Sequence, residues 1–576
     1  MTELAPAPGA APRGGLPAFR REQVRMLFLM LAFVVCYGAV GFKMGMMAAS
    51  EPVEPTLAGG SELPAAPVRG EIVDRQGRLI AANLPGWSLY AHPREIRHPA
   101  KVAHALSQIF PDLDPESLTR VLASDRAFAW IKRPITPRQK QVVMELGVPG
   151  LRFGRRDIRI YPAGNLTGHL MVGVKPGRED VRFAEIVGRG GLERYFDDQL
   201  RDPALTGRPI ELSIDLTAQM ALSEVLRDGV RRFEAKGAAG IVMSVETGEI
   251  VAMVSLPDFD PNAPPEHFTG AAELNPRFNR AAQGIYELGS TFKVLTAVMA
   301  LDAGLVRPDT LIDTKTRLAA RGHSIRDMHR MPPRMTVTDI VVRSSNIGSA
   351  RMAMMLGTGR VQEYLKRLGM FDALPIELAE AARARPLLPP DWTDLSTMTI
   401  SFGHGLAVSP THLAAAYATV ANGGRRVAPS LLKGGSGMGG EQVFSEEASA
   451  TMMAILREVV SRGTGRRADV PGYEVGGKTG TADKPRSDGK GYHKDRVIAT
   501  FAAVFPTTAP KYVVVVSLDE PVDRSGPRPI REASRTAVPV VGQVIARIAP
   551  ILGMRPFTSP IVGPAGGGVT TVPVGR

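Results

Sequence analysis

The sequence predicts an α+β, multidomain chain. It should comprise a single-span N-terminal membrane helix, a smaller α+β unit, and a larger domain with a central antiparallel sheet covered by helices. Three observations carry this prediction. Residues 26–42 form a run of 17 residues without a charge. Apolar strand patterns at 240–245 and 250–254 flank Glu246-Thr247-Gly248-Glu249, a strong hairpin signal. Further strand patterns at 497–505 and 512–518 close the same region after a long helical middle, which fits one sheet under helices. The composition, 44% hydrophobic and 22% charged over 576 residues, excludes wholesale disorder and leaves room for two or more domains. Cys36 is the only cysteine. An intrachain disulfide and a cysteine-based zinc cluster are therefore excluded, and apolar cores must hold the fold.

Taken in order, residues 1–25 read as a cytoplasmic tail, rich in Ala, Pro and Gly at its start. Residues 26–49 read as a transmembrane anchor, because a spanning helix needs about 17–25 apolar residues. Lys43 lies near the far end, where it can snorkel to the interface. A signal peptide cleaved near Ala48-Ala49-Ser50 would have a shorter apolar region, of about 7–15 residues. A core helix would be polar on one face. Arg13, Arg20, Arg21 and Arg25 precede the run, so the N-terminus should stay cytoplasmic and everything after residue 50 be exported.

Residues 50–68, with Pro52, Pro55, Pro64 and Pro67, read as a stiff stalk. Residues 69–211 read as the smaller α+β unit, with strands at 71–73 and 79–81, helices over 99–125 and 136–146, a strand-rich block at 150–174 and a helix over 191–201. Residues 212–552 read as the larger domain. Its helices fall at 290–303, 346–356, 411–421, 448–461 and 536–549. Val513-Val514-Val515-Val516 is apolar throughout, as in a strand covered on both faces. Residues 553–576 read as a flexible tail.

Three short patterns could carry chemistry. Ser290-Thr291-Phe292-Lys293 opens an apolar helix, and positions i and i+3 share a helix face. Lys293 could then reach the Ser290 hydroxyl and act as its base, provided burial or another cation lowers its pKa. The same Ser-x-x-Lys pattern recurs at 430–433 in a Pro/Gly-rich stretch and at 487–490 in a polar loop; neither has helical continuation. Ser344-Ser345-Asn346 is the only Ser-x-Asn, and alone it could be a helix N-cap. Lys478-Thr479-Gly480, followed by Thr481, is the only Lys-Thr-Gly, and alone it is a turn or edge strand.

In this order the three patterns resemble those of the penicillin-recognising serine transpeptidases. Further residues resemble class B penicillin-binding proteins: Asn279-Arg280-Ala281, Tyr286-Glu287-Leu288-Gly289, Ala421-Asn422-Gly423-Gly424, and Arg69-Gly70-Glu71-Ile72-Val73-Asp74-Arg75 in the smaller unit. The smaller unit thus resembles their N-terminal pedestal, of the penicillin-binding protein dimerisation type. Asn346, where elongation types usually carry Asp, makes the chain similar to the division type (FtsI-like). Glu179-Asp180-x-x-Phe183 only faintly echoes the glycosyltransferase motif of class A relatives. Two departures stand out. Leu288 replaces a frequent Pro, and 527–537 replaces a Gly-rich stretch, which puts substrate contacts there in doubt.

The resemblance implies a peptidoglycan D,D-transpeptidase. Ser290 would attack the penultimate D-Ala carbonyl of a stem peptide ending in D-Ala-D-Ala, with Lys293 as base. The amides of Ser290 and Thr481 would form the oxyanion hole. Ser344 would relay a proton to the leaving D-Ala, and Asn346 would orient the substrate amide and Lys293. Lys478 would lend positive potential, and Thr479, Gly480 and Thr481 would bind the substrate. β-Lactams would acylate Ser290. The resemblance implies no cofactor or metal; His323, His329 and His404 lack ligand spacing. Implied partners are a polytopic glycan polymerase and other division proteins, at the septum of the inner membrane with the catalytic domain periplasmic. An elongation role, a mainly scaffolding role and a β-lactamase or sensor role stay open. The net charge of +13 suits an anionic wall polymer, and no basic-plus-aromatic cluster points to nucleic acid.

Overall fold

The computed structural model describes residues 18–49, 69–179, 184–205, 207–265, 268–270, 274–320, 322–435, 440–486 and 491–557. Outside the described residues lie the expected stalk, residues 1–17 and 558–576, the Ser-x-x-Lys match at 487–490, Ser50, and most of the acidic echo at 179–183.

The apolar run folds as one helix, Ala18–Ala49. Its stretch Gln23–Met46 has a mean hydropathy of 2.1, and none of it is buried. At 1.5 Å per residue it is about 36 Å long, enough for a hydrocarbon core of about 30 Å. This fits a single-pass membrane anchor.

Contacts divide the chain into two compact units. One comprises Ser88–Gly154 with Met1–Gly59 and Glu179–Arg182; the other comprises Gly60–Trp87, Arg155–Arg178 and Phe183–Arg576. The division cuts through the segment 69–211 instead of falling at its end. In the first unit the helical stretch expected at 99–125 is two helices, Pro99–Ile109 and Pro115–Leu122. Pro115 opens the second, and Asp114 caps it by accepting from the Ser117 amide. Tyr90, Phe128 and Trp130 form an aromatic cluster with centroids 5.0–5.8 Å apart.

In the second unit, Ile72–Val73 pairs antiparallel with 79–81 and parallel with Ile210–Glu211. The helix expected at 191–201 is two short turns, Gly191–Tyr195 and Asp197–Arg201. They present Glu193 and Asp197 to a buried ionic knot. Arg69 Nε donates to Glu193 Oε2 (2.7 Å), and Arg69 Nη1 to Asp197 Oδ1 (2.9 Å). Arg159 Nε donates to Glu193 Oε1 (2.7 Å), and the Tyr161 hydroxyl donates to the same oxygen (3.2 Å). Glu193 is fully buried, so its removal leaves the buried Arg159 guanidinium without a carboxylate partner and Arg69 with Asp197 alone. We expect Glu193→Ala to destabilise this unit by about 3–5 kcal/mol. Urea unfolding of the full chain in detergent checks it; an unchanged midpoint would count against the knot as a support.

The same unit contains the five-stranded sheet, in the order Gly476–Pro485, Tyr492–Phe505, Tyr512–Asp519, Gly237–Ser244, Ile250–Leu256. Every neighbouring pair is antiparallel. The early hairpin therefore joins the late strands, because Tyr512–Asp519 pairs with Gly237–Ser244, Val515 opposite Ile241. The valine run explains itself. Val513 and Val515 face one core with Leu295, Leu413 and Leu456, while Val514 and Val516 face another with Leu222, Val541 and Ile545. Helices Leu216–Arg232 and Ala537–Ile551 cover one face; Phe292–Asp302, Pro410–Ala421 and Glu446–Ser461 cover the other. Period-2 alternation with two covered faces has no polar side to show. The expected architecture, a central antiparallel sheet under helices, is the one observed.

Candidate active site

The sheet's edge strand Gly476–Pro485 carries Lys478, Thr479, Gly480 and Thr481. Against it lies the turn that carries Ser290. That turn is a 3-10 segment, Gly289–Thr291, and the α-helix begins only at Phe292. The expectation that Ser290 opens the α-helix is corrected by one turn of tighter winding, in which i and i+3 nearly eclipse. Gly289 has φ +56°, and a Cβ there would stand 2.7 Å from the Thr481 carbonyl oxygen. A Cβ on Gly480 would stand 2.2 Å from the Leu288 carbonyl oxygen. Both positions need glycine because the two backbones touch. The Ser290 and Thr481 amides thus belong to adjoining segments.

The turn is held from behind. The buried Tyr417 hydroxyl donates to the Thr291 carbonyl at 2.9 Å, and the Gly289 amide donates to the Gly403 carbonyl at 3.3 Å. Leu288 is buried in the core beside the turn.

Lys293, on the first turn of the helix, is fully buried. Its Nζ donates to the Ser344 carbonyl (2.6 Å), Ser344 Oγ (3.0 Å) and Asn346 Oδ1 (2.7 Å). Lys478 Nζ, also buried, donates to Ser344 Oγ at 3.0 Å and to Thr479 O and Oγ1 at 3.1 and 3.3 Å. The three sequence patterns therefore meet at one hydroxyl oxygen. The expected direct contact is different in detail. The amine of Lys293 is bonded to the second pattern, and the half-buried Ser290 hydroxyl makes no hydrogen bond among the described residues. Thr481 Oγ1 accepts from the Ala533 amide at 3.0 Å, so the divergent 527–537 segment reaches the strand. Thr479 Oγ1 shares a hydrogen bond with Thr464 Oγ1 at 2.9 Å.

Burial lowers the Lys293 pKa well below its usual 10.5, the Lys478 charge lowers it further, and Asp327 partly offsets both. Burial pushes Lys478 down to about 7. Two buried cations facing one hydroxyl favour losing a proton. A neutral Lys293 amine has a lone pair and can act as a base. Ser344 Oγ, with one hydrogen and two lone pairs, can pass a proton between the lysines and the cleft.

Sequence reasoning missed several neighbours. Asp327 binds the second pattern, and Gly403 and Tyr417 buttress the turn. Glu287 Oε1 accepts from the Gly405 amide (2.8 Å) and the Tyr492 hydroxyl (2.9 Å). Glu287, Gly405 and Asp483 line a neighbouring cavity of about 700 Å³. His404 is pushed down in pKa by burial, and Asp483 is pushed up by it. Glu287 lies within the Tyr286–Gly289 motif, but no signal in the sequence places it or the others at the site. The competing Ser430 is buried, and its hydroxyl donates to Glu377 Oε1 at 2.7 Å, a structural role. Ser345 does cap its helix, accepting from the Gly348 amide at 3.1 Å, so the N-cap reading and the site reading hold together. His323 is exposed, and His329 lies 4.0 Å from Glu532.

Residues 238–545 match the penicillin binding protein transpeptidase domain, and residues 64–203 match the penicillin-binding protein dimerisation domain. The chain is 35% identical over 543 residues to the probable peptidoglycan D,D-transpeptidase FtsI of Caulobacter vibrioides, covering 92% of this chain and 89% of that one. It is 27% identical over 474 residues to the peptidoglycan D,D-transpeptidase FtsI of Escherichia coli K12, covering 79% of each. Among solved structures, penicillin-binding protein 3 of Mycobacterium tuberculosis, complexed with aztreonam, aligns over 87% of this chain and 99% of its own. The TM-score is 0.64 at 23% identity, a likeness of fold.

Proposed function

Because this chain belongs to the class B penicillin-binding protein transpeptidases, we propose that it cross-links peptidoglycan stem peptides during septal wall synthesis through an acyl-enzyme on Ser290. It is a division-type (FtsI-like) peptidoglycan D,D-transpeptidase and a target of β-lactams. The observation that carries the site assignment is the pair of buried lysine amines, each 3.0 Å from Ser344 Oγ, beside the Ser290 turn.

In this reading Lys293, neutral through burial, takes the Ser290 proton as the hydroxyl attacks the penultimate D-Ala carbonyl. The Ser290–carbonyl bond forms, and the oxyanion is received by the Ser290 and Thr481 amides. The proton passes through Ser344 to the leaving amine as the D-Ala–D-Ala bond breaks. Asn346, anchored on Lys293, orients the substrate amide. Lys478 supplies positive potential near the terminal carboxylate, with Thr479, Gly480 and Thr481 along the strand. An acceptor amine then attacks the ester, and the same groups run in reverse.

The same reading divides the chain into a cytoplasmic tail (1–25), an anchor (26–49), a stalk (50–68), a pedestal (69–211), a transpeptidase domain (212–552) and a tail (553–576). The arginines before the anchor favour a cytoplasmic N-terminus and a periplasmic catalytic domain. Asn346 in the second motif favours the division role. A glycan polymerase and other division proteins are the partners this role requires.

The test is direct. The full chain in detergent is incubated with a fluorescent penicillin, digested and mapped by mass spectrometry. A single adduct at Ser290 is expected. No adduct, or one at another residue, would sink the assignment.

A further inference from the structure

Asp327 lies 17 residues before Ser344, in the segment that joins the nucleophile helix to the second motif. Its Oδ2 accepts from the Ser345 hydroxyl at 2.9 Å. Its Oδ1 accepts from the Ile347 amide at 3.2 Å and, more closely, from the Asn346 amide. The neighbouring Arg326 carbonyl accepts from Asn346 Nδ2 at 2.9 Å. The first amides of helix Asn346–Leu356 are thus shared out. Asp327 takes Asn346 and Ile347, and Ser345 takes Gly348. The cap itself is already supplied by Ser345, so helix capping alone does not require the carboxylate.

Just before that helix start lies a left-handed turn. Ser344 has φ +67° and ψ 47°, the left-handed region, which a non-glycine residue keeps only where its surroundings impose it. Immediately before this pinned helix start, Ser344 turns its hydroxyl to Lys293 and Lys478, and Asn346 turns its carbonyl to Lys293.

We propose that Asp327 is a positioning residue of the transpeptidase site: by holding Ser345, Asn346 and Ile347 it sets where Ser344 Oγ and Asn346 Oδ1 meet the Lys293 amine. The proposal rests on the reaction assigned above. It adds an electrostatic role for the same group. The charged or titratable groups facing Lys293 are Lys478 from the edge strand, Asp327 from this segment and His404 from the turn after 400. Of these, Asp327 favours the Lys293 ammonium.

Two variants separate position from charge. In Asp327→Asn the amide oxygen can still accept from the helix, and its NH2 can donate to Ser345 Oγ, so geometry is kept and charge is lost. In Asp327→Ala both are lost. Acylation of the full chain in detergent by a fluorescent penicillin is followed by stopped flow from acid to neutral pH. For Asp327→Ala we expect the acylation rate constant to fall about 10–100-fold, as for a misplacement of the order of 1 Å, with the affinity for the intact antibiotic unchanged. For Asp327→Asn we expect the acid limb to move to lower pH. The sign follows from Asp327 raising the Lys293 pKa: without it the neutral base persists into more acid solution. An Asp327→Ala rate within twofold of wild type, or an unmoved limb in Asp327→Asn, overturns the proposal. If Asp327→Ala fails to fold, the limb of Asp327→Asn decides. A wild type that does not label at Ser290 overturns the transpeptidase reading itself. A wild type that labels beside an unaffected Asp327→Ala overturns only this inference.

Discussion

Ser290→Ala should abolish labelling by a fluorescent penicillin and cross-linking of stem peptides, while leaving the melting temperature of the chain unchanged. Removing the nucleophile of a serine acyl-transfer site costs on the order of 10⁶-fold in rate. The fold should not notice, because the Ser290 hydroxyl makes no hydrogen bond among the described residues. The turn is held instead by backbone contacts and by Tyr417 on the Thr291 carbonyl. The measurement pairs in-gel fluorescence with thermal unfolding of the full chain in detergent. Labelling that survives, for instance at Ser344, would mean that another hydroxyl is the nucleophile. The same variant separates enzyme from scaffold. Cells that divide normally on Ser290→Ala alone would show that assembly, not chemistry, is the essential contribution. Filaments, despite normal abundance of the variant, would show the reverse.

How far the sequence could take the reading depended on what each feature requires physically. The anchor was legible because a membrane core demands an uninterrupted apolar run, and 26–42 supplies it. The sheet was legible because Gly248 marks the early hairpin and the valines at 513–516 have no polar face. The helices from 290, 346, 411, 448 and 536 were legible as apolar stretches, with Gly304 ending one of them at φ +67°, whereas Leu216–Arg232 went unread. The pedestal helices were read too long. Pro115 is an ordinary first-turn residue, and its power to separate two helices shows only when Asp114 is seen capping the second. The candidate site residues were legible as three spaced patterns recognised together; no one of them would have sufficed. Their buttresses were not legible. Asp327 and Tyr417 act through contacts 18 and 126 residues away along the chain, and no local spacing encodes a distance of that kind. Gly480 was legible as part of an edge-strand pattern, but the Leu288 carbonyl that it faces, and the Thr481 backbone that Gly289 faces, were not.

Lys293→Met should reduce acylation about 10²–10⁴-fold, the usual contribution of a positioned acid–base group. It should also leave a signature in stability that a structural lysine would not. Wild-type Lys293 is more acidic when folded than its 10.5 when unfolded, chiefly through burial and then through Lys478. Below the folded pKa both states hold the proton, and the folded chain carries the full cost of burying the charge. Between the folded pKa and 10.5 the unfolded chain holds more protons than the folded one, so wild-type stability rises with pH across that window. Methionine has no proton to lose, and the variant should lack this part of the rise. It keeps the part due to Lys478, which is pushed down to about 7. Urea unfolding of both full chains between pH 6 and 10 should therefore show the difference moving steadily in favour of wild type as pH increases. Parallel profiles would mean that Lys293 keeps an ordinary pKa in the fold. An amine protonated at neutral pH could not accept the Ser290 proton, and the base would have to be sought elsewhere in the cleft. A steeper rise in wild type than in the variant, together with the lost acylation, would tie the cost of burying this cation to the chemistry it performs.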